Sequence, residues 1–288
     1  MSLKKDLLFA DAHLHSNPIN GLGSENIARR FKERGGWFIA LVGLPPTSLG
    51  LRPDLEGFTK SIEMLLKECE KLRNLKIRYS CLGGFHPAMI DKMIDVYKMS
   101  PEKVFEISMK TIEYAVKLVR EGLLDGLAEI GRPHYKTSPE HIVLADTIFD
   151  NVLEIAKEND LLLHLHLEEG GWATVYNVYL KIKRYSLDPW RVILHHNRIK
   201  NLKPAIYYNL ISTVPAIPQI IENIKDLEKK YVFESDYLDD PSRPGRPMYP
   251  WEIIDNSLNA LRNNILSYED LYKIHVDNII KIYNVEPP

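Results

Sequence analysis

Short apolar runs alternate with longer amphipathic segments along this chain, and the alternation continues without a break from one end to the other. Each apolar run has the length of a strand that is buried on both faces, as strands of parallel sheets are. The sequence predicts eight such strands, over residues 7–15, 37–44, 77–85, 126–131, 161–167, 191–196, 210–214 and 231–236.

Between the predicted strands, apolar residues recur every three or four positions, which is typical of helices with one buried face. Ser24 is the expected cap of the first helix, and Gly35 and Gly36 are expected to end it. The predicted helices cover residues 24–34, 58–72, 101–119, 140–157, 172–185, 201–208 and 218–229, and two more, 251–262 and 268–283, close the chain.

Eight strands that alternate with helices predict a parallel α/β barrel, the TIM barrel, with a doubly wound open sheet as the alternative. The positions of the polar residues favour the barrel, because they fall at or just past the C-terminal ends of strands, where barrel enzymes keep their sites. These residues are His13, His15, His86, Glu129, His166, His195 and Asp236. We expect one domain over residues 1–288, with the proline-rich and arginine-rich segment 238–250 as a loop at the rim.

The first strand ends in two histidines that are separated by one residue, in the run LLFADAHLH. Side chains alternate between the two faces of a strand, so His13 and His15 point the same way, and Asp11 shares their face. Imidazole is a common metal ligand, and this pattern offers two imidazoles to one ion. The other interpretation is a pair of histidines that face solvent without a metal.

The composition is that of an ordinary globular protein, with 45% hydrophobic and 26% charged residues among 288. Lys and Arg total 37 against 39 Asp and Glu, so no overall positive field attracts nucleic acid or an anionic membrane, although a local basic patch is compatible with this balance. No apolar run approaches the roughly 20 residues of a membrane span. Cys69 and Cys81 lack the CxxC spacing, and no leader segment precedes the first strand, which together favour a reducing cytoplasm.

Six short motifs occur in a fixed order: HLH on strand one, GFHP after strand three, AEIG on strand four, LHLH on strand five, ILHH on strand six and ESDY on strand eight. In this order they resemble the TatD-like branch of metal-dependent hydrolases in the amidohydrolase superfamily. That branch shows D-x-H-x-H, G-x-H-P, G-E-I-G, one histidine on each of strands five and six, and a closing E-T-D. The resemblance extends over almost the whole chain, to residues 276–278 in the last helix.

The resemblance implies a centre of two divalent metal ions, zinc, manganese or magnesium. His13, His15 and Asp236 would hold one ion, His166 and His195 the other, and Glu129 would bridge them. Imidazoles and carboxylates suit such ions, and two metal ions held in this way lower the pKa of a bound water towards neutrality. Asp236 would be both a ligand and the acceptor of the proton from that water.

Several of these assignments have alternatives. His164 and His166 share a face, and we favour His166 as the ligand because it lies nearer the strand end, which leaves His164 in the core or behind the ligands. His195 is favoured over its neighbour His196.

Three further residues have roles that the sequence leaves open. His86 is expected to contact the substrate or to support a ligand. Glu234 either orients a ligand or fills the barrel interior. Glu129 has an alternative role as a buried salt-bridge partner, although a carboxylate on an apolar strand is costly without a partner.

The chain departs from the nuclease pattern of this family at two places. Residues 131–135 read GRPHY where the nucleases read G-L-D-Y, and Glu168 and Glu169 stand where an arginine is usual. Replacing a phosphate-binding cation by acid weakens the nuclease interpretation. Arg132, Arg243 and Arg246 are the candidate replacements, sufficient for a small anion.

We therefore predict a metal-dependent hydrolase that acts on phosphoesters, with DNA ends among the candidate substrates and small phosphoesters preferred. The alternatives are hydrolysis of a C–N or C–O bond in a small amide or lactone, and a binding barrel without turnover. No membrane partner is expected, and the sequence does not specify an oligomeric state.

Overall fold

Eight strands and eleven α-helices alternate in the computed structural model, which describes residues 7–288, so that residues 1–6 of the predicted domain lie outside the described residues. The strands are β1 (Phe9–His15), β2 (Gly36–Val42), β3 (Arg78–Gly83), β4 (Gly126–Gly131), β5 (Leu162–His166), β6 (Val192–Leu194), β7 (Ile211–Pro215) and β8 (Tyr231–Glu234). The helices are α1 (Gly23–Glu33), α2 (Leu55–Asn74), α3 (Ala88–Asp91), α4 (Pro101–Arg120), α5 (Pro139–Asn159), α6 (Trp172–Tyr185), α7 (Ile199–Tyr207), α8 (Pro218–Ile224), α9 (Pro250–Arg262), α10 (Tyr268–Tyr272) and α11 (Asn278–Tyr283).

The strands form one parallel sheet whose spatial order is the order of the chain, β1 to β8. The last strand returns to the first: the amide of Asp236 donates to the carbonyl of His13 at 2.9 Å, and the amide of His15 donates to that of Tyr237 at 2.8 Å. These bonds bring both ends of the sheet together, which an open sheet does not allow. The predicted (β/α)8 barrel is confirmed.

All predicted strands and helices are present, but several bounds differ: α8 ends at Ile224 and not at residue 229, and Ser24 lies inside α1 and does not cap it. Further short elements were not predicted, among them a 3-10 turn over Pro189–Arg191. The connection after β2 holds a 3-10 turn over Pro46–Leu49, and the connection after β3 holds α3 and a π-helical turn over Lys92–Val96. The last predicted helix is present, but a π-helical turn over Lys273–Asp277 divides it into α10 and α11. The additions after β2 and β3 lengthen the connections at the end of the barrel where the polar residues lie.

The barrel interior is filled partly by the end of the chain. Ala10, Ala12 and Ala40 on β1 and β2 are small, and they belong to one buried cluster with Phe38 and Tyr283 of α11. The rings of Phe38 and Tyr283 lie 4.6 Å apart, and the Tyr283 hydroxyl donates to the carbonyl of Ala12 at 3.0 Å. The small side chains on β1 and β2 thus leave space inside the barrel, which α11 occupies from the end opposite to the cavity.

Cys69 of α2 and Cys81 of β3 form a disulfide across 12 positions of the chain. The spacing of the two cysteines did not predict it, because α2 and β3 become neighbours only in the folded barrel.

None of the helices in residues 7–288 combines the length and the apolarity that a membrane span requires.

We predict that His275 makes folding stability depend on pH. It is fully buried against β1, where its Nδ1 accepts from the amide of Ala10 at 3.2 Å. Burial lowers its pKa from 6.5 to about 3. Between these two values the unfolded chain binds one more proton than the folded chain, so the free energy of unfolding falls as pH falls, by at most about 1.4 kcal/mol per pH unit.

The His275→Gln variant removes this proton and should show a shallower fall between pH 7 and pH 5, whatever its stability at pH 7. Urea unfolding of both proteins at the two pH values measures the slopes. Equal slopes would show that His275 is already protonated in the fold.

Candidate metal centre

Eight of the ten histidines form one continuous group at the C-terminal end of the barrel, in which each ring contacts at least one other. Six of them border a cavity of about 1100 Å³. Among the residues that line this cavity are His15, His86, Glu129, His134, His166, His195, His196 and Asp236. The fold therefore brings together residues that are up to 221 positions apart in the chain, because the ends of all parallel strands meet at one rim.

The Glu129 carboxylate lies at the centre of this group. Its Oε1 is 3.2 Å from Nδ1 of His166, 3.3 Å from Nε2 of His195 and 3.6 Å from Nε2 of His13. Burial alone would raise the pKa of Glu129, but the imidazoles of His86 and His166 outweigh burial and hold it well below its usual range. Glu129 is thus a buried anion whose two carboxylate oxygens face different neighbours and can both act as acceptors.

A chain of hydrogen bonds fixes which nitrogen of His13 faces Glu129. The Tyr283 hydroxyl donates to Ala12, so it accepts from Nε2 of His164 at 3.0 Å. Nδ1 of His164 then accepts from Nδ1 of His13 at 3.1 Å. The remaining nitrogen, His13 Nε2, carries a lone pair and is buried without a hydrogen-bond partner among the described residues. An orphaned acceptor of this kind is what a cation would satisfy.

The same chain of hydrogen bonds gives the two histidines of β5 different roles. His164 lies behind His13 and bonds to Tyr283, so both of its nitrogens are occupied away from the cavity. His166 faces Glu129 through Nδ1, while its Nε2 lies 2.5 Å from Nδ1 of His134. A proton on Nε2 that is donated to His134 leaves Nδ1 free as a ligand atom, which is the usual role of a bond behind a metal-binding histidine.

Two further imidazoles present a free nitrogen to the cavity. Nδ1 of His15 donates to the carbonyl of Val42 at 3.1 Å, which leaves Nε2 as the lone pair. Nδ1 of His195 donates to Oε2 of Glu234 at 2.7 Å, and its Nε2 points to Glu129 and Asp236. Glu234 therefore orients a ligand, which was one of the two roles that the sequence left open.

Asp236 lies at the open side of the group, on backbone with φ of 52°. Its Oδ1 is 3.6 Å from Nε2 of His195 and 3.9 Å from Nε2 of His15. Burial and the neighbouring carboxylates Glu234 and Glu129 raise its pKa well above the usual value, against the effect of His195. Burial lowers the pKa of His195, but the same carboxylates raise it well above its usual value. Both pKa shifts indicate that the buried group of carboxylates around Glu129 favours additional positive charge.

The donor set fits divalent cations. His13, His15 and Glu129 each place one ligand atom within 4.8 Å of the other two, and Glu129 and His166 form a second such group with His86. Nitrogen and carboxylate donors at such spacing suit first-row metal ions. His13, His15 and Asp236 would surround one ion, His166 and His195 the other, and Glu129 would lie between them.

His86 is close to this group but is not oriented as a ligand. Its Nδ1 accepts from the amide of Ala88 at 3.0 Å, so in the neutral ring Nε2 carries the proton and donates to Oε2 of Glu129 at 3.1 Å. His86 thereby fixes the orientation of the bridging carboxylate. Asp11, although it is on β1, turns towards the loop after β8 and accepts from the hydroxyl and the amide of Ser235.

Arg132 is a correction to the prediction of a substrate contact. Its Nε and Nη2 bind the two oxygens of Glu168 at 2.9 and 2.8 Å, and its Nη1 binds Asp146 at 2.7 Å. These bonds hold the guanidinium between α5 and α6, outside the cavity. The same pairing neutralises Glu168, so that this acid does not repel an anion at the rim.

Other cavity residues were missed because their positions depend on loops. Lys92 reaches the cavity from the unpredicted π-helical turn and donates to Thr47 at 2.9 Å. His134 and Tyr135 come from the loop after β4, and the GRPHY departure from the nuclease pattern was the only sequence signal for them. Arg243 does line the cavity and pairs with Asp240 at 2.8 Å, whereas Arg246 does not line it.

Comparisons with known proteins agree with this geometry. A family model described as TatD related DNase matches residues 10–284. An uncharacterized protein of Methanocaldococcus jannaschii is 27% identical over 289 residues, which cover 99% of each chain. A solved TatD-like protein from Archaeoglobus fulgidus has a TM-score of 0.64 at 15% identity, over 96% of this chain and 100% of that chain. A TatD homologue from Escherichia coli has a TM-score of 0.68 at 18% identity, over 96% and 98%.

We predict that Tyr283→Phe weakens metal binding by about 10-fold to 100-fold, the usual effect of removing a partner behind a metal-binding histidine. Without the hydroxyl, His164 no longer holds the proton of His13 on Nδ1, and the His13 nitrogen that faces Glu129 loses its fixed lone pair. Competition with a chromophoric chelator for Zn²⁺ measures the affinity.

Tyr231→Phe is the matched control, because the Tyr231 hydroxyl is equally buried and has no hydrogen-bond partner within the described part of the chain. It should bind Zn²⁺ as the wild type does. Equal affinities for all three proteins would contradict the role of Tyr283.

Proposed function

Because this chain belongs to the TatD-related DNase family of metal-dependent hydrolases, we propose that it hydrolyses phosphoester bonds with two divalent cations held around Glu129. One observation supports this most strongly. Three imidazoles, those of His13, His166 and His195, place a nitrogen within 3.6 Å of the buried Glu129 carboxylate beside a single cavity, and His15 places one within 4.8 Å of it. Zinc and manganese suit this nitrogen-rich set better than magnesium, which prefers oxygen ligands.

The bound cations would supply Lewis acidity and lower the pKa of a water to near neutrality. The role of the protein is to hold that water and take its proton. Asp236 is placed for this step, because its carboxylate borders the cavity within 4 Å of two ligand nitrogens. A carboxylate at this position can accept the proton of a water held in the cavity.

The walls of the cavity set limits on the substrate. Its volume of about 1100 Å³ exceeds that of a single phosphate group, so the leaving group has space inside it. Lys92 and Arg243 are the two cationic side chains among the lining residues. Both side chains are exposed at the cavity. They could bind a phosphoester with one or two negative charges as it enters. Small phosphodiesters and phosphomonoesters therefore fit the cavity by size and charge.

Asp236→Asn should lower kcat by about 10²-fold to 10⁴-fold, which is the usual contribution of a general base, because the amide keeps the shape but does not accept the proton. The assay is hydrolysis of bis(4-nitrophenyl) phosphate after loading with Mn²⁺ or Zn²⁺. Asp255→Asn serves as the control, since Asp255 lies in an exposed ion pair with Arg34. Near-normal turnover by Asp236→Asn would remove Asp236 from the mechanism.

Metal removal should abolish hydrolysis, and reloading should restore it at close to two ions per chain. Elemental analysis and turnover, followed together during stepwise addition of Mn²⁺, test the number of ions. Activity that is complete at one ion per chain would contradict the proposed two-ion centre, and hydrolysis of small amides or lactones but not phosphoesters would contradict the proposed substrate.

A further inference from the structure

Three of the eight histidines at the rim form a group of their own on one side of Glu129. His134, His166 and His196 each place a nitrogen within 4.8 Å of the other two. Their ring centroids are 4.6, 4.9 and 5.5 Å apart, so the rings form a nearly equilateral triangle. We call this group the imidazole triangle. It shares only His166 with the ligands that would hold the two ions around Glu129.

One nitrogen of the imidazole triangle has no partner. Nε2 of His196 is buried and makes no hydrogen bond to any residue in the described part of the chain. Ring packing would account for the distances between the three rings, but it leaves this polar atom without compensation, and such atoms are rare in folded proteins. Nε2 of His13, on the other side of Glu129, is in the same situation. The two orphaned nitrogens thus belong to two different groups of ligands.

The backbone brings His196 to the cavity. Neighbouring residues of a strand point to opposite faces, so the sequence pattern places His195 and His196 on different sides. However, β6 ends at Leu194, and His196 has a φ of 45°. The amide of His196 donates to the Thr213 hydroxyl at 3.0 Å, which holds this turn in place. Both histidines therefore line the same cavity.

The other two members of the imidazole triangle share a proton. Nε2 of His166 and Nδ1 of His134 lie 2.5 Å apart, while Nδ1 of His166 faces Glu129. A cation between the three rings would take the place of the shared proton, which would leave to solvent as H⁺. His166 would then bind one ion through each of its nitrogens. The side chain of His134 is exposed, so its ring has space to move outwards when the cation enters.

The ligand atoms of the imidazole triangle are all nitrogens. Every other group of candidate ligands within residues 7–288 includes a carboxylate. Imidazole suits zinc, copper and nickel, whereas manganese and magnesium prefer oxygen ligands. Zinc–nitrogen bonds of about 2.0–2.1 Å in a tetrahedral site place the ring centroids about 5 Å apart, which is the size of this triangle. The triangle therefore fits zinc better than manganese.

We propose that the imidazole triangle binds a third divalent cation, zinc or another ion that prefers nitrogen, in addition to the two ions around Glu129. Three protein ligands leave the fourth position of a tetrahedral ion open. His134 and His196 both line the cavity, so this position is accessible to water or to an oxygen of an anionic substrate. The inference adds a site to the proposed two-ion centre and is tested without turnover.

The test compares the numbers of ions that the protein binds with two metals. Metal-free protein is dialysed to equilibrium against the same buffered free concentration of Zn²⁺ or of Mn²⁺, and elemental analysis gives the ions per chain. The wild type should bind one Zn²⁺ more than Mn²⁺, close to three against two, because Mn²⁺ does not suit a site that has only nitrogen ligands. Equal counts would overturn the inference. A Mn²⁺ count below two contradicts the two-ion centre instead, and the difference between the metals still tests the imidazole triangle.

His196→Phe identifies the position of the additional ion. Phenylalanine keeps a ring against His166 and His195 and removes only the nitrogens. This variant should bind one Zn²⁺ fewer than the wild type and the same number of Mn²⁺ ions, which also shows that the two-ion centre is intact. Substitution of His134 is less specific, because His134 also accepts the proton of His166.

His141→Gln is the matched control. His141 is a buried histidine outside the group of eight, and it pairs with Asp91 at 2.7 Å. This variant should keep the Zn²⁺ count of the wild type. An unchanged Zn²⁺ count in His196→Phe, or an equal loss in His141→Gln, would place the additional ion elsewhere and overturn the inference. The comparison between the two metals needs no variant, so it decides the question if His196→Phe does not fold.

Discussion

The burial of the Glu129 carboxylate among imidazoles is the constraint on which the centre of this protein depends. A charged group that is buried to this extent is tolerated only when its neighbours supply hydrogen bonds or opposite charge. His86 donates to one oxygen, and His166 and His195 face the other. Each of these rings is in turn held by a bond on its far side, so the position of one carboxylate determines the orientation of several side chains.

Those far-side bonds tie the metal centre to the rest of the barrel. The last helix enters the barrel from below, and its Tyr283 controls the protonation of His164 and through it that of His13. Glu234 at the end of β8 has the same effect on His195. Because a histidine must present a lone pair to a cation, the tautomers set by these partners are part of the binding site. The packing of the C-terminal helix thus influences a site at the opposite end of the barrel.

Charge is distributed unevenly around the rim. On one side, Arg132 is enclosed by Glu168 and Asp146 and offers nothing to a ligand. On the neighbouring surface, five cations at α6 and α7 are exposed: Lys183, Arg184, Arg198, Lys200 and Lys203. The sequence expectation of poor affinity for a polyanion rested on the charge of the whole chain and on acids near the site, Glu168, Glu169, Asp239 and Asp240. The relevant quantity is the local field at the surface that a ligand meets, since salt screens charges over about 10 Å.

The sequence by itself determined the barrel and most of the centre. Alternation of apolar runs and amphipathic segments is a local property of the chain, and it was sufficient for eight strands and the helices between them. His13, His15, Glu129, His166, His195 and Asp236 were found in the same way, because the end of a strand is visible in the sequence and every strand end faces the same rim.

Only the tertiary structure decided contacts between segments that are distant in the chain. The roles of His86, His164 and Glu234 depend on which nitrogen or oxygen meets which partner, and such bonds join residues on different strands. The enclosure of Arg132, the disulfide between Cys69 and Cys81 and the entry of Tyr283 into the barrel are also products of packing. Local sequence specifies which face of a strand or helix a side chain occupies, but its hydrogen-bond partner is set by the elements packed against that face.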